Sequence, residues 1–235
     1  RSIVELGEQL YQGDLQLNDS THDVFGRPAR YWEYDGDEIG TYAKTELLKQ
    51  SYTTEVTGRD LYDLLGSSTI REYSFNISVD GETEEDVLGD AYFDEGNLIR
   101  SNTKGVGDTG DGVLTEVFYD AEENTAIITH VNTWVGTVVK SVDNDGDAYV
   151  VVAPENTAPA GIGGNEEFET TTEFADDQYV LYTYSQSSGE IESVIAAEDA
   201  SGMVTRAENT NTNDQDKAAL TVDGTRYTCL LYTSP

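Results

Sequence analysis

Apolar and polar residues alternate with a period of two along much of this chain. The clearest run is Thr125–Ser141, whose odd positions read Thr, Ile, Thr, Val, Thr, Val, Thr, Val, Ser. Branched side chains of this kind suit a pleated surface, where cross-strand neighbours pack against them. The even positions include Ile128, His130, Asn132, Trp134 and Val138. The pattern predicts one long strand or two in tandem, with a bulge or bend at Gly136.

Hairpin signals surround that run. A polar turn separates two apolar stretches within Phe118–Ile128, and Asp145-Gly146 divides Ser141–Val152 in the same way. Asp-Gly is a strong two-residue turn pair, because both residues accept the positive φ that such turns need. Tyr182–Ala197 repeats the arrangement with Ser and Gly at its tip, and Lys217–Thr228 does so through Asp223-Gly224. Helical spacing is credible only at Thr57–Gly66. Thr57 supplies an N-cap, Leu61, Leu64 and Leu65 form a stripe, and Gly66 suits a C-terminal stop. Lys44–Gln50 is expected to add a turn of helix. Ala153–Glu167, with two prolines and three glycines, and the polar Glu208–Lys217 read as loops.

These elements predict an all-β protein of tandem antiparallel modules, sandwich or barrel-like, with one short helix. Residues 1–132 form a first module with its helix near 57–66, and 133–207 a second. Residues 208–228 begin a further unit, and 229–235 stand apart. The chain begins at Arg1, so it reads as a fragment.

Charge changes the picture of partners. The 235 residues carry 46 Asp and Glu against 13 Lys and Arg, a formal net charge of -33. Nucleic acid is excluded as a partner, since phosphate binding needs clustered Lys and Arg. Anionic membrane surfaces are disfavoured too, and no stretch has the roughly 18 apolar residues of a membrane helix. The 15 Tyr, 6 Phe and 2 Trp exclude disorder for most of the chain. A single cysteine, Cys229, rules out a disulfide scaffold and a cysteine-ligated metal site.

Three stretches carry a resemblance. Asp23–Ala43 (DVFGRPARYWEYDGDEIGTYA), Tyr52–Gly66 (YTTEVTGRDLYDLLG) and Leu114–Val138 (LTEVFYDAEENTAIITHVNTWVGTV) are similar to the β-rich regions of large secreted Gram-positive surface proteins. Those proteins carry S-layer homology domains. YVLYTYS, IESVIAAE and LTVDGTRYT follow in the same order. The resemblance implies an extracellular, cell-wall or cell-surface location and a structural role. Arg206, within the VTRAE of Val204–Glu208, matches a tetrapeptide of the anchoring domains. A polar stretch follows it where those domains have a helix, so no wall-binding role passes to it. The final CLLYTSP, Cys229–Pro235, resembles a translation of the transposon end used in sequencing-library preparation. Those residues are expected to be non-native, and the native chain to run on past Thr228.

Candidate chemistry is sparse. Asp143, Asp145 and Asp147 occupy positions 1, 3 and 5 of an EF-hand-like loop, which makes calcium the one cofactor to consider. The remaining ligands fail: the glycine position holds Ala148 and the final glutamate position holds Pro154. A hairpin turn with crowded carboxylates is the better description, and Asp108–Gly112 earns the same one. His22 and His130 lack metal-ligand spacing, and His130, in the alternating run, reads as a structural or surface residue. No Gly-x-Ser-x-Gly elbow is present, and Gly161–Asn165 lacks the strand-to-helix context of a phosphate loop. Trp32 and Trp134 read as core residues before sugar-stacking ones.

The expected function is therefore that of a structural or spacer region of a cell-surface protein, without catalysis. Its expected partners are copies of itself or neighbouring modules of the same chain. A carbohydrate- or host-ligand-binding module is the alternative, and it needs an exposed aromatic platform. A fragment of an extracellular glycoside hydrolase ranks third, and it needs a pocket with a convergent acid pair.

Overall fold

A computed structural model describes residues 15–65, 74–83, 92–94, 97–100, 106–144, 146–155, 157–208 and 218–229. Gly66, Asp145, the stretch 209–217 and residues 230–235 of the tail lie outside the described residues.

The first sheet is β1 (Leu15–His22), β2 (Pro28–Tyr34) and β3 (Asp37–Ala43), antiparallel and in that order. A 3-10 turn, Thr45–Leu47, leads into β4 (Leu48–Tyr52). Helix α1 (Gly58–Leu65), β5 (Phe75–Val79) and β6 (Glu82–Thr83) follow. A small hairpin of β7 (Phe93–Asp94) and β8 (Asn97–Leu98) precedes β9 (Val113–Asp120) and β10 (Thr125–Asn132). The second sheet runs β4-β9-β10-β5-β6 and holds one parallel pair, β5 with β10. The third is built from β11 (Trp134–Asn144), β12 (Asp147–Pro154), β13 (Glu166–Glu169), β14 (Tyr179–Ser185) and β15 (Glu190–Ala196). Its order is β13-β12-β11-β14-β15, and it curls until its two outer strands approach each other. β16 (Val204–Glu208), β17 (Ala219–Val222) and β18 (Thr225–Thr228) close the series as a three-stranded antiparallel sheet. The protein is all-β with one short helix.

Local chemistry explains the elements. Thr57 caps α1: the Asp60 N–H donates to its hydroxyl, and the Asp60 carboxylate accepts from the Thr57 N–H at 2.8 Å. Leu61 is fully buried, and Leu64 and Leu65 pack on the core of the second sheet. Around them lie Val56, Phe75, Ile77, Phe93, Val117 and Ile128. The Lys44–Gln50 stretch gives only the 3-10 turn, because Leu48 takes extended dihedrals and joins β9 as a strand.

The tandem strand over Thr125–Ser141 is two strands, and they part at Thr133. That residue leaves the ladder and donates its N–H to the Gly112 carbonyl at 2.9 Å. Gly136 lies inside β11 and makes no bend. A Cβ there would stand 2.4 Å from Val152 Cγ1 and 3.2 Å from Tyr182 Cε1, so glycine admits the packing of the curled sheet. The irregularity in β11 falls instead between Val138 and Lys140.

The Asp80-Gly81 turn between β5 and β6 docks where three sheets meet. The Asp80 N–H donates to the His130 carbonyl of β10, and its carbonyl accepts from the Gln186 N–H beyond β14, at 2.8 and 2.7 Å. Ser185 Oγ donates to the Val24 carbonyl, in the turn between β1 and β2, at 2.5 Å. Gly81 lies so close that a Cβ would stand 1.9 Å from that same carbonyl.

Gly224 has the same turn geometry, φ +86 against +85, but open space around it. Gly224→Ala is expected to cost about 1 kcal/mol through backbone strain alone. Gly81→Ala is expected to cost at least twice as much, because it also forces the three sheets apart. Equal costs by urea denaturation would show that the turn is not a joint.

Candidate functional site

The strongest concentration of buried polar groups lies at the same joint. Asp80 is only 1% exposed. Its carboxylate accepts from the Asn132 backbone N–H at 2.8 Å and from Asn132 Nδ2 at 2.9 Å, and the nearby Trp134 indole favours its charge. The β10–β11 corner thus gives one acidic side chain two hydrogen bonds. Burial pushes the Asp80 carboxyl up, while the Asn132 and Trp134 donors pull it down; burial is the larger effect.

His130 lies one pleat away, 3% exposed and opposite Thr115 of β9. Its Nε2 meets the Tyr92 hydroxyl, and its Nδ1 lies 3.2 Å from Thr115 Oγ1. Burial pulls the imidazole down to about 4, so it is neutral at pH 7. Burial also pushes the Tyr92 hydroxyl up. Both rings keep their hydrogen bonds inside the core.

Among the described residues, one cleft lies beside the joint itself, lined by Gly26, Ser78, Gly81 and Ser187, and three others open elsewhere. One of those three is bounded by Thr53–Glu55, the Gly107–Gly112 loop and Thr228. It places Glu55, Asp108 and Asp111 near one another. A second, with His22, Asp23, Arg27 and Glu38, lies between the first sheet and Ser187. There Arg27 donates to Asp23 at 2.6 Å and reaches Glu116 of β9 at 3.5 Å. The third runs between the ends of β12, β13 and β15 and is lined by glutamates. Neither Asp80 nor His130 lies in the wall of any of these three.

The predicted site residues scatter. Asn144 pairs directly with Asp147, and Asp143 with Ala148. Directly opposed residues share a face and successive residues alternate, so Asp143 and Asp147 point to opposite faces of the hairpin. Asp145 lies outside the described residues. Among the described residues, no group of three His, Cys, Asp or Glu is placed to hold a metal ion. His22 and His130 belong to different sheets. Trp32 and Trp134 are 8% and 5% exposed and form no surface platform. Arg206 lies on β16 and pairs with Glu208 at 3.0 Å.

Sequence reasoning missed Asp80. Its signal was available: Asp80-Gly81 is the same turn pair that marked Asp145-Gly146 and Asp223-Gly224. Nothing local separates Asp80, whose carboxylate is buried, from Asp223, which lies exposed on its turn.

His130 makes stability depend on pH. The folded value lies below the ordinary 6.5, so the unfolded chain binds the proton more tightly. The contribution is complete above about pH 6.5 and is lost as pH falls toward 4, amounting to about 3 kcal/mol at most. His130→Gln should remove that slope from the unfolding free energy. A wild-type-minus-variant difference that stays flat from pH 7 to pH 4 would disprove it.

No protein-family model, no curated protein and no solved structure matches this chain.

Proposed function

We propose that this chain is a non-catalytic structural or spacer segment of a cell-surface protein, located outside the cell at the wall or surface. The observation that carries the reading is the use made of Asp80. Buried acids with shifted ionisation usually mark a reactive cleft, where they face a substrate. Here the carboxylate accepts two hydrogen bonds from Asn132 of its own chain, and its backbone ties two more segments. This buried acid serves to fix one sheet against another. The resemblance to the β-rich regions of Gram-positive surface proteins supplies the location. An acidic, well-solvated exterior is consistent with exposure to a wall environment.

The binding alternative has one observation in its favour. Tyr42 of β3 is 59% exposed, and its ring reaches across Gly40, the cross-strand partner of Trp32. Tyr34, two residues beyond Trp32 on β2, is 39% exposed. Two exposed tyrosine rings on one small sheet are the minimum a sugar-stacking surface requires.

Two measurements separate the readings. Incubated with glycan and peptide libraries, the chain is expected to release no product. Turnover that a single carboxylate substitution abolishes would overturn the structural assignment. On a glycan array the chain is expected to bind nothing. Binding that Tyr42→Ala reduces tenfold or more would establish the alternative.

A further inference from the structure

We propose that the third sheet is a barrel held open along one seam by like charge, and that neutralising that seam closes it. Topology brings the seam about. Each neighbouring pair in the order β13-β12-β11-β14-β15 is antiparallel, so the outer strands β13 and β15 run parallel to each other. The curl of the sheet brings their Cα atoms within 8 Å. Among the described residues, no ladder joins them.

Alternation dictates what each edge presents. Phe168 of β13 and Ile191 of β15 both turn inward and belong to the core of this sheet, with Trp134, Val150, Val152 and Tyr182. Glu167 and Glu169 therefore turn outward on one edge and Glu190 on the other, while Glu192 is the extra residue of a bulge opposite the Thr183–Tyr184 step. All four line the groove between the edges, with Asp147 from the end of β12. A parallel ladder that placed Phe168 beside Ile191 would set Glu167 beside Glu190 and Glu169 beside Glu192. Like charges brought side by side repel, and more strongly near a protein surface than in water, whereas a ladder hydrogen bond largely replaces one made to water. Repulsion therefore outweighs the ladder, although the apolar sides already match.

The other charged and titratable groups at this end of the sheet do not relieve the repulsion. Lys140 of β11 is directed at Tyr149, with Nζ 3.3 Å from the hydroxyl and 5.3 Å from the ring centroid. Glu192 accepts from Ser188 Oγ at 2.6 Å, a neutral donor. The seam contains the two free edges and the acids that keep them apart, and a change in its charge is the only step that closure needs. Acidification, high salt or a cationic partner would each supply that change. A closed seam would remove two exposed strand edges at once.

Amide hydrogen exchange read by mass spectrometry tests this. The variant E167Q/E169Q/E190Q/E192Q keeps the side-chain shapes and removes the repulsion. At pH 7 its amides in β13 and β15 are expected to exchange at least tenfold more slowly than wild type, with β10 and β11 unchanged. A second variant, E190K/E192K, places opposite charges across the seam and should show the same slowing. In wild type, raising sodium chloride from about 0.05 M to about 1 M shortens the screening length to about 3 Å and should slow the same amides. The glutamine variant should not respond to salt. Unchanged exchange in β13 and β15 in either variant, with β10 and β11 still protected, would overturn the proposal.

Discussion

A single buried carboxylate decides how the sheets of this protein sit against one another. Asp80 lies at the tip of a two-residue turn, where side chains usually face water. Here the tip is pressed into the corner between β10 and β11, and the carboxylate meets two N–H groups of Asn132 there. A buried acid of this kind adds little to stability, because its desolvation cancels much of what the bonds return. It is selective instead. Sliding the β5–β6 hairpin by one residue would turn the carboxylate to the opposite face and leave the Asn132 donors buried and unpaired. The apolar cores of the second and third sheets could tolerate several relative placements, but the Asp80 contacts admit one.

What was legible in the chain, and what was not, follows from the range of each interaction. The hairpins at Asp223-Gly224 and Ser185–Glu190, the capped helix at Thr57 and the strand character of Thr125–Ser141 all rest on neighbours in sequence. Each appears in the structure. Periodicity also assigned His130 to a structural or surface place. It could not show that Tyr92 and Thr115 would hold the imidazole neutral, since Tyr92 arrives from 38 positions away. The bulge or bend expected at Gly136 was a misreading for a related reason. Glycine inside a strand signals either a bend or a close approach, and only Val152 and Tyr182, remote in sequence, decide between them.

The calcium reading shows the converse limit. Three aspartates at alternate positions look convergent when a loop is assumed. On paired strands the same alternation sends neighbours to opposite faces, as the pairing of Asn144 with Asp147 requires. A two-residue hairpin and an ion-binding loop are competing uses of the same residues. Asp145 lies outside the described residues, and the pairing of β11 with β12 sends Asp143 and Asp147 to opposite faces.

The distribution of charge follows the same logic of joints and edges. Cations are scarce, 13 against 46 acids, so their places are informative. Arg27 links the turn after β1 to Glu116 on β9. Arg30 links Asp19 on β1 to Glu46 in the 3-10 turn, and Arg226 links β18 to Glu208 on β16. In each case an arginine spans elements that the backbone ladder alone leaves separate or meets only through a third strand. Its planar fork suits such bridging, since it donates in two directions at once. The acids crowd the remaining positions: turns, free faces and the outer strands of the third sheet. A sheet edge lined with acids repels another edge of the same kind, whether that edge belongs to a different molecule or to the far side of its own sheet. The composition that keeps these exposed β edges from pairing between molecules also keeps the third sheet from completing itself.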